Sequence, residues 1–548
     1  MLEYLRTYNS RPWPKIEIPV IKKQHLWGLI LYVAAMVGMG FWFWLSGDPR
    51  AYKFGLLGLG IPILFLLKSP YMTIAGLLAF EVVAAFLSVG NMNYVISIVA
   101  VFIGTIIAFE SPIVIYMLLI LAVWYDSTPL NISGTMVIGS SIRYEIIFGA
   151  ALLVGWFFRF LSGHEVKRKR IFPEKWYAVG LLAITWLGFF FWCYEPIPTG
   201  WEEVKVSSVG LLLFLISPIV ISDRKKLTLA IWSWIVSGVI LATFSFVGTY
   251  LGLQPEETGL WGAAPGALGV HKNWSTTLMS FSFFIALAYL FTVKNFLKKI
   301  MFYFDLLFLL AAQLYEQSRA TAVSSLTGVM LFWLLNPSVK RLRSNPLRTL
   351  ARIFLVLSVL SLSVFLIYTI DLGFLGSYSE IFSDPMSVPT MVARYEIWEG
   401  CYQMITTENH LWRGLGPGAF WYLGQQYGIG TLRMTDEEFR AYHAHNLYLD
   451  IVIHQGIIGL LLFLGLTISI LIKLWRGFLH FESMHDRYLC VGILACVIAF
   501  LLHGMVDYRM FMIRPYWMFL GLAVAVINLA ATPLGADPGK SLTRLNEK

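Results

Sequence analysis

Apolar residues run along this chain in long blocks, separated by short polar or proline-containing breaks. A helix needs about 20 residues, with a range of roughly 17 to 25, to cross the hydrocarbon core of a bilayer. Blocks near that length lie at 26–46, 51–67, 71–89, 93–109, 112–125, 143–161, 176–193, 206–221, 227–251, 274–292, 299–315, 319–335, 352–370, 446–474, 488–503 and 515–531. The early blocks are parted only by breaks such as Lys68-Ser69-Pro70 and Glu110-Ser111-Pro112, so the pattern predicts about twelve to sixteen spans. The expected fold is all-α, a polytopic membrane helix bundle.

Composition agrees with the pattern. Of 548 residues, 58% are hydrophobic and 13% charged, and the mean hydropathy is +0.70. A soluble domain carries about 25% charged residues, so there is too little polar surface here to wrap a water-soluble globule. Four cysteines in a chain of this length exclude a disulfide scaffold.

The net charge of +9 is first a matter of topology. With residues 1–25 inside and the helices alternating, most of the 41 Lys+Arg collect on the cytoplasmic side. The bias is strongest in short loops, at Lys167-Arg168-Lys169-Arg170, Arg224-Lys225-Lys226, Lys298-Lys299 and the group Lys340, Arg341, Arg343 and Arg348. Such runs are anchors at an anionic leaflet rather than a nucleic-acid surface. The organisation expected is a cytoplasmic tail (1–25), a transmembrane bundle (26–370), a large partly helical loop on the outer side (371–444), C-terminal transmembrane helices (445–531) and a second cytoplasmic tail (532–548).

The loop Asp371 to Ala444 breaks the rule of short connections, and loops beyond about 12 to 15 residues are usually functional or disordered. Its aromatic residues, among them Tyr395, Trp398, Trp412, Phe420 and Trp421, argue for order. The pattern predicts a helix from about Pro389 to Thr407, a glycine-rich turn Gly414-Leu415-Gly416-Pro417-Gly418, and a short helix from about Thr435 to Tyr442, where Thr435 and Glu438 have capping-box spacing. The loop holds Arg394, Arg413, Arg433 and Arg440 and no lysine, a choice suited to bidentate recognition of phosphate.

Ionisable residues beside membrane helices are functional candidates by default. The charge count puts four groups on the outer face: Gln317-Ser318-Arg319, His271-Lys272-Asn273, Tyr442-His443-Ala444-His445-Asn446 and Asp507-Tyr508-Arg509. Each has a plainer reading. Arg319 could snorkel to headgroups, His445 could bond a carbonyl at a helix start, and Asp507 could pair with Arg509 or Arg514. His443 and His445 could bind a metal, but no third ligand stands at ligand spacing in the sequence. The glycine-rich turn matches neither phosphate-binding fingerprint. Cys193 and Cys401 both fall on the outer side and could pair if they meet.

Taken together, Gln317-Ser318-Arg319, Arg394 with Trp398, Gly414-x-Gly416-Pro417-Gly418-x-Phe420, and His443-x-His445-Asn446-x-Tyr448-Leu449 leading into a helix with Gly456 and Gly459 resemble the O-antigen ligase/polymerase superfamily. That group comprises O-antigen ligases, polysaccharide polymerases and O-linked protein glycosyltransferases. The resemblance spans roughly residues 260 to 530.

The resemblance implies a metal-independent glycosyltransferase of the bacterial inner membrane, with no cofactor and with its active site on the periplasmic side. The donor would be an undecaprenyl-diphosphate-linked glycan, and the acceptor a glycan or lipid-linked hydroxyl. Membrane lipid is the remaining partner, and no nucleic acid is involved. By position, His445 would be the general base, Asp507 an acidic residue steering it or the acceptor, and Arg319 and Arg394 the ligands of the donor diphosphate. His271, Lys272, Arg413, Arg440, His443 and Asn446 are further candidates for substrate contact. The chemistry is reasonable, because an imidazole with an ordinary pKa near 6.5 can take a sugar hydroxyl's proton at neutral pH. Fixed guanidinium groups stabilise the charge that develops on a leaving diphosphate. Attack opposite the leaving group inverts the anomeric carbon.

Two other classes compete. A transporter or flippase of lipid-linked saccharides or small anions would place polar groups near the bilayer midplane and often carries internal repeats. This chain shows no clear repeat, and its polar residues crowd one end of the helices. A metal enzyme built on His443 and His445 would stop when treated with chelators.

Overall fold

The computed structural model describes residues 92–122, 144–161, 172–194, 200–250, 272–316, 318–336, 389–427, 432–433, 438–439, 443–508 and 513–531. The spans expected at 26–46, 51–67, 71–89 and 352–370 lie outside these residues. The chain divides into two compact units, Met1–Glu110 and Ser111–Lys548. In the first, α1 covers Met92–Glu110.

The second unit is a helix bundle: α2 (Pro112–Ala122), α3 (Tyr144–Leu161), α4 (Lys175–Trp192), α5 (Trp201–Val220), α6 (Arg224–Tyr250), α7 (Lys272–Leu290), α8 (Phe296–Tyr315), α9 (Arg319–Leu334), α10 (Pro389–Thr407), α11 (Ala419–Leu423), α12 (Leu447–His480), α13 (Met484–His503) and α14 (Arg514–Ala530). The protein is a polytopic membrane helix bundle. Among the described residues, five helical segments are long and apolar enough to cross a membrane: Lys175–Trp192, Glu203–Val220, Arg224–Phe246, Leu447–His480 and Met484–His503. Others expected from the sequence are shorter, such as Arg514–Ala530, or carry polar residues that the bundle turns inward.

α7 shows why inward polarity is tolerated. It packs against α6, α8, α9 and α13, and buries Asn273, Ser275, Thr276, Thr277, Ser280 and Ser282. Small hydroxyl residues let helices approach closely and bond across the contact. Thr276 meets Thr321 at 2.7 Å, Ser280 meets Ser325 at 3.0 Å, and Ser282 donates to the Trp234 carbonyl at 2.5 Å. Aromatic stacks fill the remaining core, with Phe281 on Phe519 at 4.6 Å between centroids and Phe500 on Tyr516 at 4.2 Å. At the start of α13, the Arg224 guanidinium forks onto Asp486 and also donates to the Leu529 carbonyl at 3.1 Å, fastening α6, α13 and α14 together.

α10 occupies the span expected for it, Pro389–Thr407. Of the span where a short helix is expected, Thr435 to Tyr442, Glu438–Phe439 are among the described residues. Glu438–Phe439 is instead a strand paired antiparallel to Leu432–Arg433, in the register Leu432↔Phe439 and Arg433↔Glu438. Main-chain pairing between the two segments satisfies their backbone groups and overrides the local capping signal.

The glycine-rich segment is a turn, and it is built into a broken helix. α12 is interrupted at Gly456, which has φ 67° and ψ −172°. The break leaves the carbonyls of Ile453 and His454 and the N–H groups of Ile457 and Ile458 without helical partners, and the loop supplies them. Leu415 donates to Ile453 at 2.7 Å and Gly416 to His454 at 3.1 Å, while Ile457 donates to Leu411 at 2.9 Å and Ile458 to Trp412 at 3.3 Å. The two backbones touch where both residues are glycine, since a Cβ on Gly456 would stand 2.1 Å from the Trp412 oxygen and one on Gly414 2.5 Å from Gln455 N. Glu203 on α5 holds the far side of the turn, accepting from Gly418 N at 2.6 Å, and lies 3.5 Å from the buried His454.

Candidate active site

Four helix ends meet at one end of the bundle. The starts of α7, α9 and α12 join the turn that follows α13, with Leu447 N donating to the Gly504 carbonyl at 2.7 Å. Three helix N-termini bring partial positive charge and orient the site toward an anion.

Asn446 caps α12, accepting from Tyr448 N at 3.0 Å and Leu449 N at 3.1 Å, and its amide donates to the Met505 carbonyl at 3.0 Å. Both ends of that side chain are therefore committed to positioning His445. The residue itself has φ 47°, a left-handed conformation uncommon outside glycine that is typically retained at functional sites. Tyr508, next to Asp507, has φ 79°.

The imidazole of His445 stands with Nδ1 3.3 Å from Asp507 Oδ1. His443 Nε2 lies 3.5 Å from the same oxygen, and the two imidazole centroids are 3.9 Å apart. Asp507 is 5% exposed. Tyr508 N donates to its Oδ1 at 2.8 Å, and the Asn273 amide donates to Oδ2. An acceptor-only carboxylate on Nδ1 fixes the tautomer with the proton on Nδ1, which leaves Nε2 as the basic nitrogen. His445 and Asp507 thus have the geometry of a base and its orienting acid.

Arg394 on α10 completes the charge balance. Burial pushes its guanidinium below the ordinary arginine pKa, while the charge of Asp507 acts in the opposite direction. α10 is held beside the histidines by Trp398, whose indole donates to the Ala444 carbonyl at 2.9 Å. Arg319 is the first residue of α9 and follows the cap Ser318. Ser318 donates to Asn273 Oδ1 at 2.7 Å, so the backbone at Arg319 is tied to Asp507 through one side chain.

Arg413 is exposed, stacking over Trp192 at 5.0 Å and bonding His410 at 2.9 Å, so its contacts are not with the His445 cluster. Lys272 opens α7. His271 and Arg440 lie outside the described residues. Cys193 and Cys401 do not form a disulfide with each other, and Cys193 donates to the Pro417 carbonyl at 2.9 Å.

In sequence no third ligand accompanies His443 and His445, but the fold supplies one. One ligand atom from each of His443, His445 and Asp507 lies within 4.8 Å of the others. Behind them, His503 Nδ1 meets the Tyr508 hydroxyl at 2.6 Å and Thr321 at 3.3 Å. Thr277, Thr321 and His503 line a cavity of about 10 Å³ there, large enough for one water. Sequence patterns do not single out Thr277 or His503, which look like ordinary polar residues of membrane helices. Asn273 and Ser318 carried a signal, through their places beside His271-Lys272 and Arg319.

Residues 304–464 match the protein-family model described as O-antigen ligase. No curated protein matches the chain. The match runs from within α8 to the first half of α12 and includes Arg319, Arg394, His443 and His445, so over that stretch the chain is similar to O-antigen ligases. Asn273 and Asp507 lie outside the matched stretch and join it through the fold.

Proposed function

We propose that this protein joins a glycan from an undecaprenyl-diphosphate donor to an acceptor hydroxyl on the periplasmic face of the bacterial inner membrane, as a polysaccharide polymerase or O-antigen ligase. The observation that carries the reading is the His445–Asp507 pair beside Arg394 at a convergence of helix N-termini. The acceptor oxygen attacks the anomeric carbon while His445 Nε2 removes its proton, and Asp507 stabilises the imidazolium that forms. The bond from the anomeric carbon to the phosphate oxygen breaks, and its electron pair leaves with the diphosphate. Arg394 and Arg319 stabilise that charge, and the configuration inverts.

The test is reconstituted protein supplied with a lipid-linked oligosaccharide and an acceptor. New glycosidic bonds that disappear in His445→Ala and Arg319→Ala are expected, with both variants still extracted as folded protein. Movement of unmodified substrate across the vesicle, without bond formation, would instead identify a transporter.

The mutual approach of His443, His445 and Asp507 favours one second reading, a divalent cation held by this trio. Extensive chelation separates the two: transfer persists if His445 is the base and stops if a metal is required.

A further inference from the structure

We infer that Asn273 is a positioning residue that couples the base to the donor-phosphate subsite, an inference that rests on the function proposed above. Its side chain is 8% exposed and is used at both ends. The amide nitrogen donates to Asp507 Oδ2, and the amide oxygen accepts from Ser318 at 2.7 Å. The orientation is fixed by chemistry, because an ionised carboxylate can only accept, whereas the Ser318 hydroxyl has a proton to give.

Each bond reaches a different part of the site. Asp507 holds Nδ1 of His445 at 3.3 Å, so Asn273 sets the carboxylate that sets the base. Ser318 is the N-cap of α9, accepting from Thr321 N at 3.4 Å, and Arg319 is the next residue. Asn273 therefore sets the start of the helix that carries a proposed diphosphate ligand. The main chain of Asn273 is also anchored: its carbonyl accepts from Thr277 at 2.8 Å and from Thr276 at 3.2 Å. One amide on one helix thus bridges two segments that lie far apart in sequence, 318–319 and 507. An apolar residue here would leave a buried carboxylate and a buried hydroxyl each short of one partner.

The geometry separates the two halves of the bridge by substitution. Asn273→Ala removes both bonds. Asn273→Asp is nearly isosteric and keeps an acceptor for Ser318, but replaces the donor to Asp507 with a second carboxyl. Two carboxyl groups in contact share one proton, and the protonated form reproduces the original donor. Ser318→Ala removes only the Arg319 side of the bridge.

The experiment measures transfer rate against pH and, separately, binding of the lipid-diphosphate donor, for these variants and for His445→Ala in purified full-length protein. Asn273→Ala is expected to lower kcat roughly 10- to 100-fold, the scale of a misplaced catalytic group, and to weaken donor binding several-fold. Ser318→Ala weakens donor binding while retaining most of kcat. Asn273→Asp retains donor binding and is more active than Asn273→Ala at low pH, losing that advantage as pH rises and the shared proton leaves. A purely structural role would not create that alkaline limb.

The inference is overturned if Asn273→Ala keeps wild-type kcat and donor binding, or if Asn273→Asp follows the wild-type pH profile. It is also overturned if the Asn273→Ala and Ser318→Ala losses in donor binding add fully in the double variant, since a shared bridge predicts coupling. His445→Ala keeps the two claims apart. If it retains transfer, the base assignment fails, and the bridge still stands or falls on donor binding. If it is inactive while Asn273→Ala is normal, only the bridge fails.

Discussion

Gly456→Ala places a methyl group where the broken helix and the loop touch. At φ 67° and ψ −172° the backbone occupies a region essentially restricted to glycine, and an L-residue there costs about 1–3 kcal/mol. The new Cβ would also lie 2.1 Å from the Trp412 oxygen and 2.6 Å from Gly414 N. Those atoms belong to backbone and cannot swing aside, so the loop must lift. Lifting breaks the four bonds that join Leu411–Gly416 to Ile453–Ile458, each worth about 1 kcal/mol net. The combined effect is on the order of 5–7 kcal/mol, enough to open the loop without unfolding the bundle. Hydrogen exchange reads it directly. At about 1.4 kcal/mol per tenfold, protection at Leu415, Gly416, Ile457 and Ile458 should fall by at least ~100-fold. Transfer activity should fall with it, because His445 stands at the start of the same helix half. Gly180→Ala is the control, since its Cβ would meet only the Leu462 side chain at 3.1 Å, which can rotate. Wild-type exchange at those four amides in Gly456→Ala would refute the account of why the helix is broken here.

Asp507→Asn should lower kcat by roughly 10²-fold or more, with donor binding little changed, because the orienting acid is lost while the arginines remain; steady-state kinetics with a separate donor-binding measurement checks it. Arg394→Lys should support transfer only at lower pH. Burial already lowers the arginine, and the same burial acts on a group that gives up its proton more readily, so activity declines as pH rises through the lysine's depressed pKa; the pH–rate profile of the variant shows it. Asn446→Ala should destabilise the start of α12 by about 1 kcal/mol as a lost cap. It should also reduce activity more than stability, since the Met505 tie goes with it; thermal unfolding beside a rate measurement separates the two.

The sequence by itself determined the membrane class, the positions of the helices and the short list of candidate residues. Apolar block length is a local property, and the blocks at 143–161, 176–193 and 488–503 became α3, α4 and α13 with ends shifted by only a few residues. His445, Asp507, Arg319 and Arg394 were legible for a related reason: ionisable groups beside apolar helices are costly, and they stand out. What the sequence could not contain is which of them meet. His445 and Asp507 are 62 positions apart, and only the packing of α12 on α13 brings them together. The same packing gives His443 and His445 a third potential ligand and strands Arg413 on Trp192. Local signals also lost to nonlocal pairing. Glu438–Phe439, expected within a helix, instead pair with Leu432–Arg433, and α12 breaks at Gly456 because a loop from elsewhere satisfies its backbone. Hydropathy is written residue by residue, whereas a hydrogen bond across a helix contact exists only after the helices have docked, so Asn273 acquires its role from the tertiary structure alone.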